Sequence, residues 1–222
     1  MNKTITLVNE WGNFEAKHPE GDIQDFCRYY LAQQNGQKIK GPLVGGVVPG
    51  FIDGLLMKII GRISKLNMLY ANKALKGTDL NQIEEFGMLM TIKQEKNPKK
   101  TEVIFANLFE LSSGTDMLNR MKKRGLIKEY DDKEDKRSKR IELTPKGEKV
   151  GEVCSEKIRK NAKMMAHDLT NDDKELCVQL LKNIEIKFSA LWPGHKGKSF
   201  GEAYNSIVKE ANTKSNNKKK DS

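Results

Sequence analysis

The order of the short segments between residues 79 and 143 restricts the fold of this chain more than any other feature. Three helical segments come first. One starts after Asp79-Leu-Asn-Gln82 and ends at Asn97-Pro98, a second starts near Thr101, and a third covers 112–124. Two strand segments, 126–130 and 140–143, follow and are joined by a polar turn. Three short helices followed by a β-hairpin predict a winged helix-turn-helix.

Hydroxyl side chains are the predicted caps of two of these helices. Thr101 is placed to cap the second helix, and Ser112 or Ser113 to cap the third. The third helix, 112–124, has an apolar side that we expect to face the other two helices; it consists of Gly114, Met117, Leu118 and Met121.

Long amphipathic helices are predicted on both sides of this centre. Apolar residues recur at helical spacing over 51–75, over 144–166 with Pro145 in the first turn, and from Thr170 onward. Together they have more apolar face than the small centre can cover. We therefore expect a homodimer with a helical interface, the alternative being that the helices fold back on each other within one chain.

The predicted fold class is thus mainly α with a β wing, a winged helix-turn-helix with long flanking dimerisation helices. Residues 1–50 are predicted as an N-terminal helical extension, with two helices over 9–34 and a glycine-rich linker. A dimerisation helix follows over 51–75, the winged helix-turn-helix over 76–147 and further dimerisation helices over 148–192. Residues 193–222 are predicted as a basic, disordered tail.

The charge balance favours a polyanionic partner. Forty Lys and Arg against thirty Asp and Glu give a net charge of +10 and a pI near 9.3. Nucleic acid or an anionic membrane would suit such a surplus. The N-terminus has no secretory signal, and the most apolar stretch, 41–61, is broken by prolines, glycines and charges, so no membrane partner and a cytoplasmic location are expected.

Two basic clusters indicate where a double-stranded DNA partner would bind. One lies at the end of the third short helix and the other in the polar turn of the hairpin, which suits one helix in a major groove and a β-ribbon tip beside it. A solvated face is the alternative interpretation of any such run. The candidate DNA-binding residues are Ser112, Ser113, Thr115, Asn119, Arg120, Lys122, Lys123, Lys136, Arg137, Lys139 and Arg140.

The acidic residues among these cations need roles of their own. Asp116 could accept a hydrogen bond from a cytosine, but we favour an ion pair with Arg120 four residues later, since phosphates repel an unpaired carboxylate. Asp131, Asp132 and Glu134 are expected to hold the shape of the turn through local pairs. Asp135 is expected to brace Arg137 so that it points outward.

Residues 119–130 and 135–147 together resemble the MarR family of bacterial transcriptional regulators. The Asp-x-Arg wing motif falls on Asp135 and Arg137, and the Leu-Thr-x-x-Gly motif on Leu143, Thr144 and Gly147. The resemblance extends over about residues 51–192. It implies a homodimer on a pseudo-palindromic operator, Arg137 at the minor groove, and repression relieved by a small-molecule effector or by oxidation.

The sequence gives little support for a metal site, a catalytic site or a reactive thiol. Three separated histidines and three separated cysteines predict no metal site, and phosphate loops, nucleophile elbows and cofactor motifs are missing, so we expect no enzyme and no cofactor. Cys27, Cys154 and Cys177 are expected to be buried and inert. Two alternatives stay open: a winged helix that docks a protein partner, and a redox or ligand sensor whose DNA role is secondary.

Overall fold

The computed structural model describes residues 2–36 and 49–208, which belong to two compact units divided between Ile60 and Gly61. The mainly α fold with a small β wing is confirmed. The helices are α1 (Lys3–Glu15), α2 (Ile23–Gly36), α3 (Ile52–Leu75), α4 (Ile83–Glu95), α5 (Lys100–Ala106), α6 (Leu111–Lys123), α7 (Pro145–Met165) and α8 (Asn171–His195), and the strands are β1 (Ile127–Asp131) and β2 (Lys139–Leu143).

The first unit contains a helical hairpin with an aromatic core. α1 starts six residues before the predicted position because Asn2 accepts a hydrogen bond from Thr4 N–H at 3.0 Å. Phe14 and Phe26 are buried and lie 5.6 Å apart between ring centres, with Trp11 and Tyr29 against them. The predicted glycine-rich linker lies largely outside the described residues, at 37–48.

The second unit has one apolar core, in which α4, α5 and α6 meet the wing and α7. Buried side chains of all five elements contribute to it, and α3 adds Leu75 at its C-terminal end. The largest fully buried members are Leu75, Met88, Leu89, Ile104, Leu118, Met121, Leu126, Ile127 and Ile141. Leu118 and Met121 belong to the apolar side of the third short helix that the sequence predicts to face inward.

The first of the three short helices starts where the sequence predicts, but the other two do not start at their predicted caps. α4 does start after Gln82, where Asn72 of α3 accepts a hydrogen bond from Ile83 N–H at 2.7 Å. Thr101 is not the cap of α5, because the helix starts at Lys100 and Glu102 accepts the Lys99 N–H at 2.7 Å.

Neither Ser112 nor Ser113 caps α6. Leu108 has a φ of 58° and turns the chain, after which only Phe109 and Glu110 precede the new helix. The N-cap is Glu110, whose carbonyl accepts a hydrogen bond from Gly114 N–H at 2.9 Å. Both serines therefore lie inside the first turn of α6, which starts one residue before the predicted helix.

The wing is an antiparallel pair in which Ile127 faces Leu143 and Asp131 faces Lys139. Ile141 N–H donates to the Pro98 carbonyl at 3.0 Å, and an antiparallel β-bridge joins Lys99 to Arg140. The chain directly before α5 therefore pairs with β2 as a very short third segment of the sheet. Wing and helix-turn-helix are therefore joined through the backbone as well as through the core.

The long C-terminal helices start where the sequence predicts. Thr144 caps α7 through Gly147 N–H at 3.0 Å with Pro145 in the first turn, and Thr170 and Asp173 form a capping box at the start of α8. No residue of α8 is buried in the single chain. Asn161 of α7 donates to Asn67 of α3 at 2.8 Å, which connects the two helices.

The prediction of a disordered tail from residue 193 is wrong for its first part. α8 continues through Pro193 to His195, because a proline in the last turn of a helix removes a single backbone hydrogen bond. Residues 200–208 are helical as well, and residues 209–222 lie outside the described part of the chain.

The predicted burial of the cysteines holds only for Cys154, which packs in the core and whose thiol pKa is raised by burial. Cys27 and Cys177 are exposed, because α2 and α8 leave those faces uncovered in the single chain. Over residues 2–36 and 49–208, no helix is long and apolar enough to cross a membrane, and no group of three or more His, Cys, Asp or Glu could hold a metal ion.

Candidate nucleic-acid interface

The helix that carries most candidate residues, α6, packs one side into the core and presents the other to solvent. Gly114, Met117, Leu118 and Met121 are buried, as predicted. A Cβ on Gly114 would stand 2.6 Å from the Ile104 side chain, so the glycine lets α5 and α6 approach closely. On the opposite side Ser112, Ser113, Asn119, Arg120, Lys122 and Lys123 are exposed, and Thr115 is half-buried.

The C-terminal end of α6 is attached to the loop before α4 and to α7. The guanidinium of Arg124 donates to Glu85 Oε1 at 2.6 Å and to the Asp79 carbonyl at 2.5 Å. Glu85 is fully buried, so this is an ion pair largely withdrawn from solvent. Lys146 of α7 donates to the Arg124 carbonyl at 3.0 Å and pairs with Asp79 at 3.2 Å. These contacts fix the axis of α6 against the rest of the unit.

Glu129 of β1 joins the wing to both helices of the helix-turn-helix. Its carboxylate accepts hydrogen bonds from Lys100 of α5 and Lys122 of α6, each at 2.7 Å. Burial disfavours the charged form, but the two lysines outweigh it and lower the pKa of Glu129. Lys100 also donates to Asn119 Oδ1 at 3.2 Å. Lys122 and Asn119 are therefore engaged within the protein, although both are exposed.

Two aspartates shape the turn between the strands. Asp132 is buried and accepts the N–H groups of Glu134 and Asp135 at 2.9 and 3.3 Å. The Glu134 N–H is the main cause that lowers the pKa of Asp132, against the opposing effect of burial. Asp135 accepts from the Ser138 hydroxyl at 2.7 Å and from Arg137 N–H at 3.1 Å, and its pKa is lowered by these bonds.

The cations of the wing fall into two groups. Arg140 donates to Asp132 at 2.7 Å and to the Asn97 carbonyl at 2.8 Å, so its guanidinium holds the base of the wing, and Lys139 pairs with Asp131. Lys136 and Arg137 stand exposed at the tip, and their side chains have no partner among residues 2–36 and 49–208. Asp135 braces the backbone of Arg137 rather than its guanidinium.

The outer face of α6 also retains two cations, Arg120 and Lys123, whose side chains contact no acid in the described residues. The predicted Asp116–Arg120 pair is not formed within that part of the chain. Four cations, Arg120 and Lys123 on α6 and Lys136 and Arg137 at the wing tip, are thus available for an anionic partner; we call them the available cations. The candidate residues Lys122, Lys139, Arg140 and Asn119 already have partners in the protein.

The sequence analysis did not identify Glu85 and Glu129, two acids that pair with cations near α6 and so separate the paired cations from the available cations. Glu85 contacts a residue 39 positions away, and Glu129 one 29 positions away. For Glu85 the available signal was a glutamate on an otherwise apolar helix face. For Glu129 it was its position in the strand, two residues after the inward-facing Ile127. Neither signal identifies a partner.

Comparison with known proteins agrees with this geometry. Residues 84–147 match the family model described as a winged helix DNA-binding domain. A cysteine-to-serine mutant of MarR from E. coli, complexed with operator DNA, is 22% identical with a TM-score of 0.55, and the match covers 58% of this chain and 92% of MarR.

A second similar structure is the PcaV transcriptional regulator from Streptomyces coelicolor in complex with its natural ligand. It is 15% identical with a TM-score of 0.54, and the match covers 64% of this chain and 97% of PcaV. No curated protein sequence matches the chain significantly. Residues 84–147 thus match the model of a winged helix DNA-binding domain, and the fold of this part of the chain is similar to that of MarR and PcaV.

Proposed function

We propose that the chain is a sequence-specific, double-stranded DNA-binding transcriptional regulator of MarR type, acting in the cytoplasm as a homodimeric repressor. The observation that carries the proposal is the set of available cations, Arg120, Lys123, Lys136 and Arg137, exposed on α6 and on a wing tip that Glu129 joins to the same helix. Lysine and arginine on phosphates supply most of the affinity of such proteins for DNA.

Roles for the polar residues of α6 follow from their positions. Ser112 and Ser113 lie in the first turn, where hydroxyls and free backbone N–H groups bind phosphate. Thr115, Asn119 and Arg120 follow on the outer side, where Asn suits an adenine edge and Arg a guanine edge. Lys122, Lys139 and Arg140 would act mainly by holding α6 and the wing in place, since each already has an acidic partner.

The test combines selection of genomic DNA fragments with binding by two matched variants. Lys136→Ala with Arg137→Ala should weaken binding to every duplex by about tenfold or more at moderate salt and flatten its salt dependence. Lys3→Ala with Lys17→Ala removes the same charge from the N-terminal unit and should change affinity much less. Absence of any enriched sequence, with equal affinities for the two variants, would instead favour a winged helix that docks a protein.

Dimerisation is supported by apolar faces that the single chain leaves uncovered. Leu56, Ile63 and Leu66 of α3 are exposed although they form the predicted apolar stripe, and so are the apolar residues of α8: Leu176, Val178, Leu180, Leu181, Ile184, Ile186, Phe188 and Trp192. Exposed apolar surface of this extent marks an interaction site. A two-fold dimer would present two copies of α6, and hence fits a pseudo-palindromic operator.

Repression would require only that the dimer occupies its operator, because a bound dimer excludes other proteins from the same DNA. A reporter gene placed downstream of a selected site should be silenced when the chain is expressed and released when Lys136 and Arg137 are replaced by Ala. Activation of the reporter would reverse the proposed sign of regulation.

Relief by a small ligand is supported by two cavities along α7. One, of about 560 Å³, lies beside the loop before α4 and is lined by Asp79, Lys146, Lys149 and Lys157 among others. The second, of about 400 Å³, lies between α3 and α7 and is lined by Tyr70, Lys73, Lys157, Lys160 and Asn161 among others. The buried Oδ1 of Asn161 has no hydrogen-bond partner in the described residues. The lysines that line both cavities favour an anionic ligand, and Tyr70 gives the second cavity an aromatic wall that suits an aromatic one.

Benzoate is a suitable first probe for these cavities. It should raise the melting temperature of the chain and weaken DNA binding, and Lys157→Met, which alters both cavities, should abolish both effects. Lys174→Met in α8 serves as the control of equal charge. A benzoate effect that is the same in all three proteins would contradict the cavity as the effector site.

A further inference from the structure

Asp116 is the one acidic residue of α6, and it lies on the exposed side of the helix. Ser112, Asp116 and Arg120 follow one another at four-residue spacing and Lys123 comes three residues later, so the four side chains form one row. All four are exposed, whereas Met117, next to Asp116 in the chain, is buried. Asp116 therefore belongs to the surface that α6 would present to a major groove.

The carboxylate of Asp116 has no partner in the part of the chain that the structure describes. Other acids near α6 do have partners. Glu110, directly before the helix, pairs with Lys196 at 2.9 Å, and Glu129 accepts hydrogen bonds from two lysines. Exposed ion pairs at helical spacing are weak, so Arg120 would compete little with a ligand for this carboxylate. Asp116 is thus an acceptor that the described residues leave unused.

An unpaired carboxylate opposes DNA binding unless it meets a hydrogen-bond donor, because phosphates repel it. In the major groove, guanine presents two acceptors, N7 and O6, and thymine presents the acceptor O4. Adenine presents its N6 amino group beside the acceptor N7, which would repel the second carboxylate oxygen. Cytosine presents the N4 amino group as its hydrogen-bonding group. Cytosine is therefore the base whose major-groove edge suits a carboxylate best.

The position of Asp116 along α6 suits contact with a base. It lies in the N-terminal half of the helix, and the N-terminal residues of a recognition helix are those that meet base edges. Asn119, the amide on the same exposed side, already accepts a hydrogen bond from Lys100 at 3.2 Å. Asp116 has no such internal contact.

We propose that Asp116 determines the sequence preference of the chain by accepting a hydrogen bond from the N4 amino group of one cytosine in each half-site. The inference rests on the proposed function, since it names the base that the same interface reads. The available cations add affinity for any duplex. Asp116 acts in the opposite sense: it lowers affinity for every duplex that lacks the cytosine and so turns general binding into selective binding.

The first test selects binding sequences from random duplexes with the wild type and two variants. The wild type should enrich cytosine at one position of each half-site. Asp116→Ala should lose the preference at that position and keep it elsewhere. Asp116→Asn should enrich adenine there, because an amide can pair with both N6 and N7 of adenine. Asp172→Asn, which makes the same change at an exposed position of α8, should select the wild-type sequence.

The second test identifies the atom that Asp116 contacts. Exchange of the selected cytosine and its guanine should weaken wild-type binding about tenfold or more and change the Kd of Asp116→Ala much less. Replacement of the cytosine by 2-pyrimidinone, which lacks the amino group, should also weaken the wild type and leave Asp116→Ala nearly unaffected. Asp116→Ala should bind a duplex of arbitrary sequence more tightly than the wild type does. Melting temperatures check that each variant is folded.

Failure of the proposed function and failure of this inference give different results. If the wild type enriches no sequence and binds no duplex, the proposed function is wrong and the role of Asp116 with it. If the wild type enriches a half-site, and Asp116→Ala and Asp116→Asn enrich the identical one, the role of Asp116 alone is overturned. Equal losses on the 2-pyrimidinone duplex for the wild type and Asp116→Ala would likewise overturn the contact with N4.

Discussion

Each carboxylate near α6 forms ion pairs with particular cations, Asp116 excepted. These pairs distinguish the cations that stabilise the fold from the available cations, which have no acidic partner in the described residues. Glu85 holds Arg124, Glu129 holds Lys100 and Lys122, and Asp132 holds Arg140. The more deeply buried the carboxylate, the more costly the removal of its partner becomes.

Arg124→Met should destabilise the protein by about 2–4 kcal/mol, because it leaves the buried Glu85 carboxylate without its cation and Arg124 itself is about a quarter exposed. Glu85→Leu combined with Arg124→Met should recover much of the loss, since no unpaired charge remains. The measurement is urea unfolding. Lys128→Met, which breaks a solvent-exposed pair with Glu142, is the control and should change the urea midpoint much less.

Acid sensitivity is expected from Glu129, whose pKa is lowered in the folded chain. A carboxyl whose folded pKa lies below its unfolded value, about 4.3, contributes stability above that pH and loses it as the pH falls through the folded pKa. Glu129→Gln should therefore be less stable than the wild type at pH 7. The difference, followed by urea midpoints, should shrink as the pH falls below about 4. A constant difference down to pH 3 would contradict the lysine pairing.

At the scale of elements, close backbone approach decides how the wing meets α7. Gly147 in the first turn of α7 faces the carbonyl of Leu126, the residue before β1, and a Cβ there would stand 2.0 Å from that oxygen. Thr144 accepts the Gly147 N–H and donates its hydroxyl to the Gly125 carbonyl at 2.6 Å. The Leu-Thr-x-x-Gly motif is thus the joint at which the chain leaves the wing and enters the long helix.

Gly147→Ala should destabilise the protein by about 2 kcal/mol or more, because the contact is with backbone and cannot be relieved by a side-chain rotation. Gly61→Ala in α3 is the matched control: nothing lies within 4 Å of its Cβ position, so it should stabilise by about 0.5–1 kcal/mol through helix propensity. Thermal unfolding measures both. If the two variants melted alike, the close approach at Gly147 would be wrong.

At the scale of the whole molecule, α3 and α8 expose apolar faces that we expect a partner to cover. A helix of 25 residues with no buried side chain gains little apolar packing from the rest of its own chain. In the proposed dimer, the apolar faces of a second copy would cover those of the first, and the two winged helices could contact DNA at the same time.

Leu180→Glu with Ile184→Glu should convert a dimer into monomers, because the two exposed apolar residues lie one turn apart on α8 and charge would enter the proposed interface. Light scattering gives the mass, and DNA binding should weaken together with dimerisation. Lys182→Glu changes the charge of the same helix and should leave the mass unchanged. A wild-type chain that is monomeric at micromolar concentration would contradict the proposal.

The winged helix and the starts of α7 and α8 follow from the sequence itself, because helical periodicity, strand alternation and the caps Thr144 and Thr170 depend on residues within a few positions of each other. The start of α6 does not, because the turn at Leu108 and the packing of α5 on α6 decide it. Which cations stay available was also settled by tertiary structure: Arg140 and Arg137 lie close together in the chain and have the same chemistry, but Asp132 and the Asn97 carbonyl meet only Arg140. A charged side chain stabilises the fold when folding brings an oppositely charged or polar partner next to it. Local sequence patterns do not show which residues folding will bring together.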